Sequence, residues 1–361
     1  MAAAFAEPED KSFRKRAAMG YNPRMATPEI SVVIPVRDAG ARLREALDSI
    51  SAQTFADWEC LVVDDGSTDE SGRAADEYAA SDARFRTLSV GGAGLVSALN
   101  AGLREARAPL VARMDADDIS YPARLESQAA LMRARPEITL CSCLVRMFPD
   151  NSVGEGMKLY EEWLNSVVDE ADILRDFFVE SPFAHPSVMF RRDAALEAGG
   201  YLDNGWPEDY DLWMRLRERG ARFAKVPEVL LLWRDYPERV SRTHAAYSMP
   251  RFRKLKARYL ASAYLNKKKA ATIWGAGREG RWWCAELSER GVDVRRFADV
   301  DPAKIGRSIG VIPIVSYEDL ADRSHDEFIF CAVGARGARP LIRSKLLEFG
   351  YVELEDFIFL A

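Results

Sequence analysis

From Ile30 onward the sequence predicts an α/β protein, and three observations carry that reading. Short β-branched runs alternate with helical patterns of ten to fifteen residues, the order expected of βαβ units around a mainly parallel sheet. The apolar runs at residues 32–36 and 61–63 are unbroken, as in strands covered by helices on both faces. The strand–turn–helix pattern also restarts near residue 270, after a stretch with no acid in it.

Taken in order, ISVVIPV (30–36) is a strand and ARLREALDSISAQ (41–53) a helix. ECLVVDD (59–65) is a strand ending in two acids, followed by a helix in STDESGRAADEYAA (67–80). RFRTLSV (84–90) is a strand, VSALNAGLREA (96–106) a helix, and PLVARMDADD (109–118) a strand that again ends in acids. Gly91, Gly92 and Gly94 read as a turn into the helix at Val96, because no G-K-[ST] follows them. Residues 149–182 are less regular and acidic, with one amphipathic segment at 161–178. PSVMFRR (186–192) reads as a strand, DAALEAG (193–199) as a short helix, EDYDLWMRLRERG (208–220) as a helix stopped by Gly220, and residues 221–233 as a strand. Residues 247–269 carry eight cations and no acid, and read as a connecting helix with Phe252, Leu255 and Tyr259 on its apolar side. Residues 270–361 form a small second α/β unit. In it Trp282 and Trp283 are adjacent, so they cannot share a helix face.

The expected organisation is therefore an extension at 1–29, a large α/β domain at 30–246, a basic linker helix at 247–269 and a smaller α/β domain at 270–361. The chain has 361 residues, enough for two domains. Its net charge of −6 lacks the global basic surface of a non-specific nucleic-acid binder, so no nucleic-acid partner is expected. Five scattered cysteines without a C-x-x-C pair suggest neither a disulfide framework nor a zinc site and fit a reducing, cytoplasmic setting. No signal peptide and no apolar span of membrane length is found; the basic segment 247–269 leaves peripheral contact with an anionic inner membrane face as an expectation.

Asp64 and Asp65 follow one strand, and Asp115, Asp117 and Asp118 follow another, so both clusters lie at the carboxyl edge of the sheet, where open α/β folds bind ligands. Such acids can simply mark turns after strands, but crowded carboxylates need a compensating cation or a set of donors, and a hard divalent ion, Mg²⁺ or Mn²⁺, would serve and also accept phosphate oxygens. Asp118 reads instead as a cap on a helix starting near Tyr121. On the helix at 208–220, Asp209, Leu212, Trp213 and Leu216 share one face, which points Asp209 inward; Asp211 lies off that stripe and reads as a surface partner of Arg215. His185 reads as a structural histidine or a contact to diphosphate or acceptor.

The motifs ISVVIPVRDAG, AQTF with WECLVVDDGSTDES, ARMDADDISYPARL, and HPSVMFRR with PEDYDLWMRL occur in an order that resembles the family 2 glycosyltransferases, inverting enzymes of the GT-A fold, over residues 30–241. The resemblance implies a nucleotide-diphosphate sugar donor, typically a UDP-sugar, over a divalent metal, and a glycan or lipid-linked acceptor in surface polysaccharide biosynthesis. It implies that Pro35 and Arg37 line the nucleotide pocket, where the family often has Tyr followed by Asn and this chain has Arg37 and Asp38. Asp65 matches the carboxylate that bonds the nucleobase, Asp115 the first acid of D-x-D beside ribose or sugar, Asp117 the metal-holding acid, and Asp209 the general base. A catalytically idle GT-A module and a nucleotidyltransferase are the alternatives; the second lacks a glycine-rich triphosphate loop in PVRDAG. In the second unit Gly275, Gly277 and Gly280 form G-x-G-x-x-G, with Asp299 placed as a ribose-binding acid would be, which resembles a small Rossmann-like domain and gives a second candidate nucleotide site.

Overall fold

The computed structural model describes residues 27–264, 270–323 and 326–361. Most of the expected extension and the three lysines at 267–269 therefore lie outside the described residues.

The first sheet has eight strands: β1 (Ile30–Val36), β2 (Trp58–Asp64), β3 (Phe85–Ser89), β4 (Leu110–Arg113), β5 (Ile119–Ser120), β6 (Ile138–Phe148), β7 (Met189–Arg191) and β8 (Arg222–Arg234), in the order β3-β2-β1-β4-β7-β6-β8-β5. The four strands β3-β2-β1-β4 are parallel, and every residue of β1 is buried. β7 runs against both β4 and β6, so the sheet is parallel-rich but mixed. Helices Arg42–Ser51, Ser71–Ser81 and Leu95–Glu105 make the crossovers. The last packs so close to β1 that a Cβ on Gly102 would lie 2.4 Å from Val33 Cγ1, a contact that only glycine avoids.

The second sheet is built from β9 (Ala270–Trp274), β10 (Val294–Asp299), β11 (Ser308–Ile309), β12 (Ile312–Ser316), β13 (Glu327–Cys331) and β14 (Phe357–Phe359), in the order β11-β12-β10-β9-β13-β14 and parallel except for the β11–β12 hairpin. The strand order centred on β9 places its glycine loop at the carboxyl edge.

The amphipathic segment at 161–178 is shared between two helices. These, Glu155–Ser166 and Glu170–Asp176, are divided at Val167–Asp169, where the backbone turns extended.

Helix Met249–Tyr264 joins the two sheets. Its Leu255, Ala257 and Leu260 are fully buried, and one apolar cluster runs from Val33 and Leu61 through Tyr210, Trp213 and Leu255 to Ile273, Phe328 and Leu360. Lys256 is also buried and donates to the carbonyls of Val179 (3.1 Å) and Leu360 (3.0 Å), while Arg253 pairs with Glu279 and covers Trp282. Trp283 is in the core and Trp282 is only partly buried, in keeping with adjacent residues that cannot share a helix face. The side of the basic segment that carries Leu255, Tyr259 and Leu260 thus faces protein, and Arg251, Lys254 and Arg258 are the cations that it shows to solvent, with Met249 exposed at its start. Among the described residues no helix is long and apolar enough to cross a membrane. All five cysteines are buried and unpaired.

Candidate functional site

At the carboxyl edge of the first sheet the loops after β1, β2 and β4 meet helix Glu208–Glu218 and residues 234–247 around a cleft of about 820 Å³. Pro35, Arg37, Asp65, Asp115, Asp117 and Asp209 all line it. It is the right size for a small-molecule site.

One wall is made by the turns after β1 and β2. The Asp65 amide donates to the Val36 carbonyl (2.8 Å), which fixes the two strand ends together. Both Asp65 carboxylate oxygens accept from the Gly94 amide (3.0 and 3.1 Å), and Arg37 Nη1 lies 3.6 Å away. Gly94 adopts φ 93°, a conformation that favours glycine, so the three glycines do form the turn into the next helix. Asp64 only closes its own turn, accepting from the Ser67 amide. Asp38, at φ 50°, accepts from the Thr68 amide (2.7 Å).

The second wall is the acid cluster after β4. Asp115, Asp117 and Asp118 each place a carboxylate oxygen within 4.8 Å of the others. Residues 234–239 hold them there. The Arg234 amide donates to Asp118 Oδ1 (2.7 Å), Tyr236 OH to Asp117 (2.6 Å), and Arg239 pairs with Asp115 (3.2 Å) while lying over the Trp233 ring. On the other side Arg113 Nη1 is 2.5 Å from Asp115, an ion contact whose geometry is not that of a hydrogen bond. Burial first, and then the neighbouring Asp115 charge, push the Asp117 and Asp118 carboxyls above their ordinary values.

Asp118 is not the helix cap its local sequence suggested. The next helix begins at Arg124 without any side-chain cap, and Asp118 is fully buried with Oδ2 lacking a partner. An orphaned buried carboxylate oxygen among three clustered ones is a hard-oxygen donor set that fits Mg²⁺ or Mn²⁺.

The third wall is the start of helix Glu208–Glu218. Glu208 is buried, accepts from Tyr247 OH (2.7 Å) and lies 3.7 Å from His185 Nδ1. The other nitrogen of His185 meets Tyr201 OH at 3.1 Å, and burial with the Arg113 charge pushes this histidine well below its ordinary pKa, so it is neutral. Asp209 faces the cleft beside it. Its carboxyl is pushed up to about 8, by burial first and then by the Glu208 charge. Asp211 is not a surface residue: fully buried, it accepts from Arg215 (2.8 Å), Trp206 Nε1 (2.9 Å) and Tyr259 OH (2.9 Å), and so ties the helix to Met249–Tyr264.

Sequence reasoning missed Arg113, Tyr236, Arg239 and Tyr247. For Tyr236 and Arg239 the available signal was the run of charged and aromatic residues RDYPERVSR at 234–242; Arg113 and Tyr247 lie outside it.

The second candidate site is assembled differently. Gly275 (φ 111°) and Gly280 are demanded by packing, since a Cβ on Gly280 would fall 1.7 Å from the Gly275 carbonyl oxygen, whereas Gly277 has open space beside it. Asp299 stands at the expected strand end, but its carboxylate is taken by the Ala276 amide (2.8 Å), the Asp301 amide (2.9 Å) and Lys304 (3.1 Å). Against the opposing effect of burial, these donors hold it below its ordinary value.

Residues 31–199 match the family described as Glycosyl transferase family 2. The chain is 34% identical over 193 residues to the amylovoran biosynthesis glycosyltransferase AmsE of Erwinia amylovora, covering 52% of this chain and 69% of that one. It is 31% identical over 225 residues to the UDP-Gal:alpha-D-GlcNAc-diphosphoundecaprenol beta-1,3-galactosyltransferase of Escherichia coli, covering 60% and 78%. Among solved structures, S. aureus TarS 1–349 in complex with UDP-GlcNAc is similar, with a TM-score of 0.50 at 16% identity over 72% of this chain and 71% of that one, a likeness of fold.

Proposed function

Because the chain belongs to glycosyltransferase family 2 and carries its GT-A fold, we propose that it moves a sugar, with inversion, from a nucleotide-diphosphate donor to a hydroxyl of a glycan or lipid-linked acceptor in surface polysaccharide biosynthesis. The donor proposed is a UDP-sugar, in line with the relative that carries UDP-Gal in its name. The observation that supports this is the meeting of Asp115 and Asp117, with Asp118 buried behind them, and the Glu208–Asp209 pair in one cleft.

In this reading Pro35, Arg37 and Asp65 bind the nucleotide. Asp115 and Asp117, with Asp118 behind them, would hold Mn²⁺ or Mg²⁺, which when bound neutralises charge on the diphosphate. Asp209 is the general base. The acceptor oxygen forms a bond to the sugar C1 as the bond from C1 to the phosphate oxygen breaks, the bonding pair leaves with the diphosphate, and the acceptor proton passes to Asp209 in its ionised form, which a pKa of about 8 makes the minority form at neutral pH and the major one above pH 8. A single displacement inverts C1. Peripheral membrane contact on the cytoplasmic side would rest on Arg251, Lys254 and Arg258.

The test is a thermal-shift screen of UDP- and GDP-sugars with Mn²⁺ or Mg²⁺. A donor present at 100 times its Kd should add ~2.7 kcal/mol to stability. If no nucleotide sugar stabilises the protein with either ion, the donor assignment fails.

A further inference from the structure

Arg113, the last residue of β4, stands between the two acid groups of the cleft. Its amide donates to the Val188 carbonyl (3.0 Å) and its carbonyl accepts from Arg124 Nη2 (2.6 Å), which fixes its backbone between β1 and β7 while its side chain lines the cleft. The residue is only 3% exposed. Nη1 makes the ion contact with Asp115, yet neither Nε nor Nη1 finds a hydrogen-bond acceptor. A guanidinium buried with donors unspent is costly, and the cost falls when further acceptors come within reach.

The other acid group offers such acceptors. Burial first pushes the Glu208 and Asp209 carboxyls up, and the Arg113 charge draws both back down. The groups around the pair are otherwise engaged or carry the wrong sign. On the same helix Glu208 raises Asp209, and Tyr210 OH is spent on the Phe177 carbonyl. His185 is neutral and meets Tyr201, while Tyr247 OH donates to Glu208. Tyr160 and Glu180 approach from the irregular segment and bring no positive charge. In residues 234–247 Arg239 is committed to Asp115 and Arg242 to Asp235.

Asp209 is thus mostly protonated at neutral pH, and the cation that favours its ionised form is held by Asp115. Asp115 belongs to the donor set that fits Mg²⁺ or Mn²⁺, so a divalent ion and Arg113 compete for one carboxylate. That competition links the two halves of the site, because displacing the guanidinium from Asp115 leaves it free for Glu208 and Asp209. Resting on the transferase reading above, we propose that Arg113 is a positioning residue with alternating partners: it pairs with Asp115 while the acid cluster is empty and turns to the Glu208–Asp209 pair once a divalent ion takes Asp115, so that the acceptor is activated when the metal site is filled.

The test uses the full chain and three variants: Arg113→Gln and Arg113→Met, which remove the charge, and Arg113→Lys, which keeps it, with melting curves checking each fold. Mn²⁺ affinity is measured by calorimetry in the presence of UDP, and the pH profile of kcat with the donor found by thermal shift. In the neutral variants Asp115 loses a competing cation, so Mn²⁺ is expected to bind about tenfold more tightly. Over the same change kcat is expected to fall, and the acid limb of its pH profile to move up by about one unit or more, with little change in donor KM. The two readouts part, whereas damage to the fold would weaken both. Arg113→Lys is expected to keep the wild-type acid limb. Mn²⁺ affinity unchanged or weaker in a folded neutral variant, or an unmoved acid limb, overturns the proposal. Should neither neutral variant fold, the Lys variant decides: an acid limb at the wild-type position supports the alternating cation, and one moved up overturns it. Absence of nucleotide-sugar turnover in the wild type would defeat the transferase reading itself, and the calorimetric comparison would still decide whether Arg113 competes for Asp115.

Discussion

Replacing Asp209 with Asn separates what this carboxylate does for chemistry from what it costs the fold. Its pKa of about 8, against an ordinary 3.8, means that the folded state resists ionising it, because it is buried and stands next to Glu208. The sign follows from linkage: below pH 4 both folded and unfolded chains hold the proton, and nothing is lost. Between about 4 and 8 the unfolded chain releases the proton and the folded chain keeps it, so stability falls as pH rises, and above 8 the penalty is constant. Each unit corresponds to about 1.4 kcal/mol, but Asp209 reaches the cleft water and shares its strain with Glu208, so we take less than half of the full span, ~2 kcal/mol at pH 8. In a protein of this size that is a rise of about 3 °C in Tm for Asp209→Asn at pH 8, with a much smaller rise at pH 5. Transfer should meanwhile fall by ~10²-fold or more with little change in donor KM. Calorimetric melts at the two pH values, alongside donor turnover, provide the assay. A Tm gain no larger at pH 8 than at pH 5 would refute the strained-acid argument, and near wild-type turnover would remove Asp209 as the base.

Three further outcomes are expected. Asp117→Ala should abolish metal-dependent nucleotide binding, measured by titrating Mn²⁺ in the presence of UDP; unchanged Mn²⁺ affinity would take Asp117 out of the site. Gly280→Ala, which sets a methyl 1.7 Å from the Gly275 oxygen, should lower stability by about 3 kcal/mol or more, read as a lower Tm; a Tm within a degree of wild type would mean the loop relaxes freely. Because Arg251, Lys254 and Arg258 of helix Met249–Tyr264 face solvent, each worth about 1 kcal/mol near an anionic surface, the protein should pellet with anionic vesicles at low salt and be released as salt rises; pelleting with neutral vesicles would show that an apolar group such as the exposed Met249 inserts instead.

The first half of the large sheet was legible because its information is local. Strands β1, β2 and β4 are short apolar runs, β2 and β4 lead into acids, and the structure places those acids at one edge. β6 was not read as a strand at all: ITLCSCLVRMF lies in the middle of the sheet between β7 and β8, and its cysteines and serine gave no clear period. Asp118 and Asp211 were misplaced for one reason. Each was judged by residues three or four positions away; the Arg215 partner of Asp211 was found that way, but the burial of both acids depends on residues far along the chain, Arg234 for Asp118 and Tyr259 for Asp211. Residues 234–247 escaped for the same reason, since what they do depends on folding back over β4.

The shared apolar cluster around helix Met249–Tyr264 bears on how such chains can be recombined. Fusion of one enzyme's catalytic sheet to another's second sheet assumes a joint with little surface at stake. Here Leu255, Leu260 and Tyr264 belong to the same cluster as Trp213 on one side and Phe328 on the other, and Val179, one residue from the cleft-lining Glu180, packs with Trp274 and Ile329. A hybrid would therefore have to carry the helix and residues 177–180 together with the second sheet. Cutting at residue 269 would leave a greasy seam exposed on both fragments.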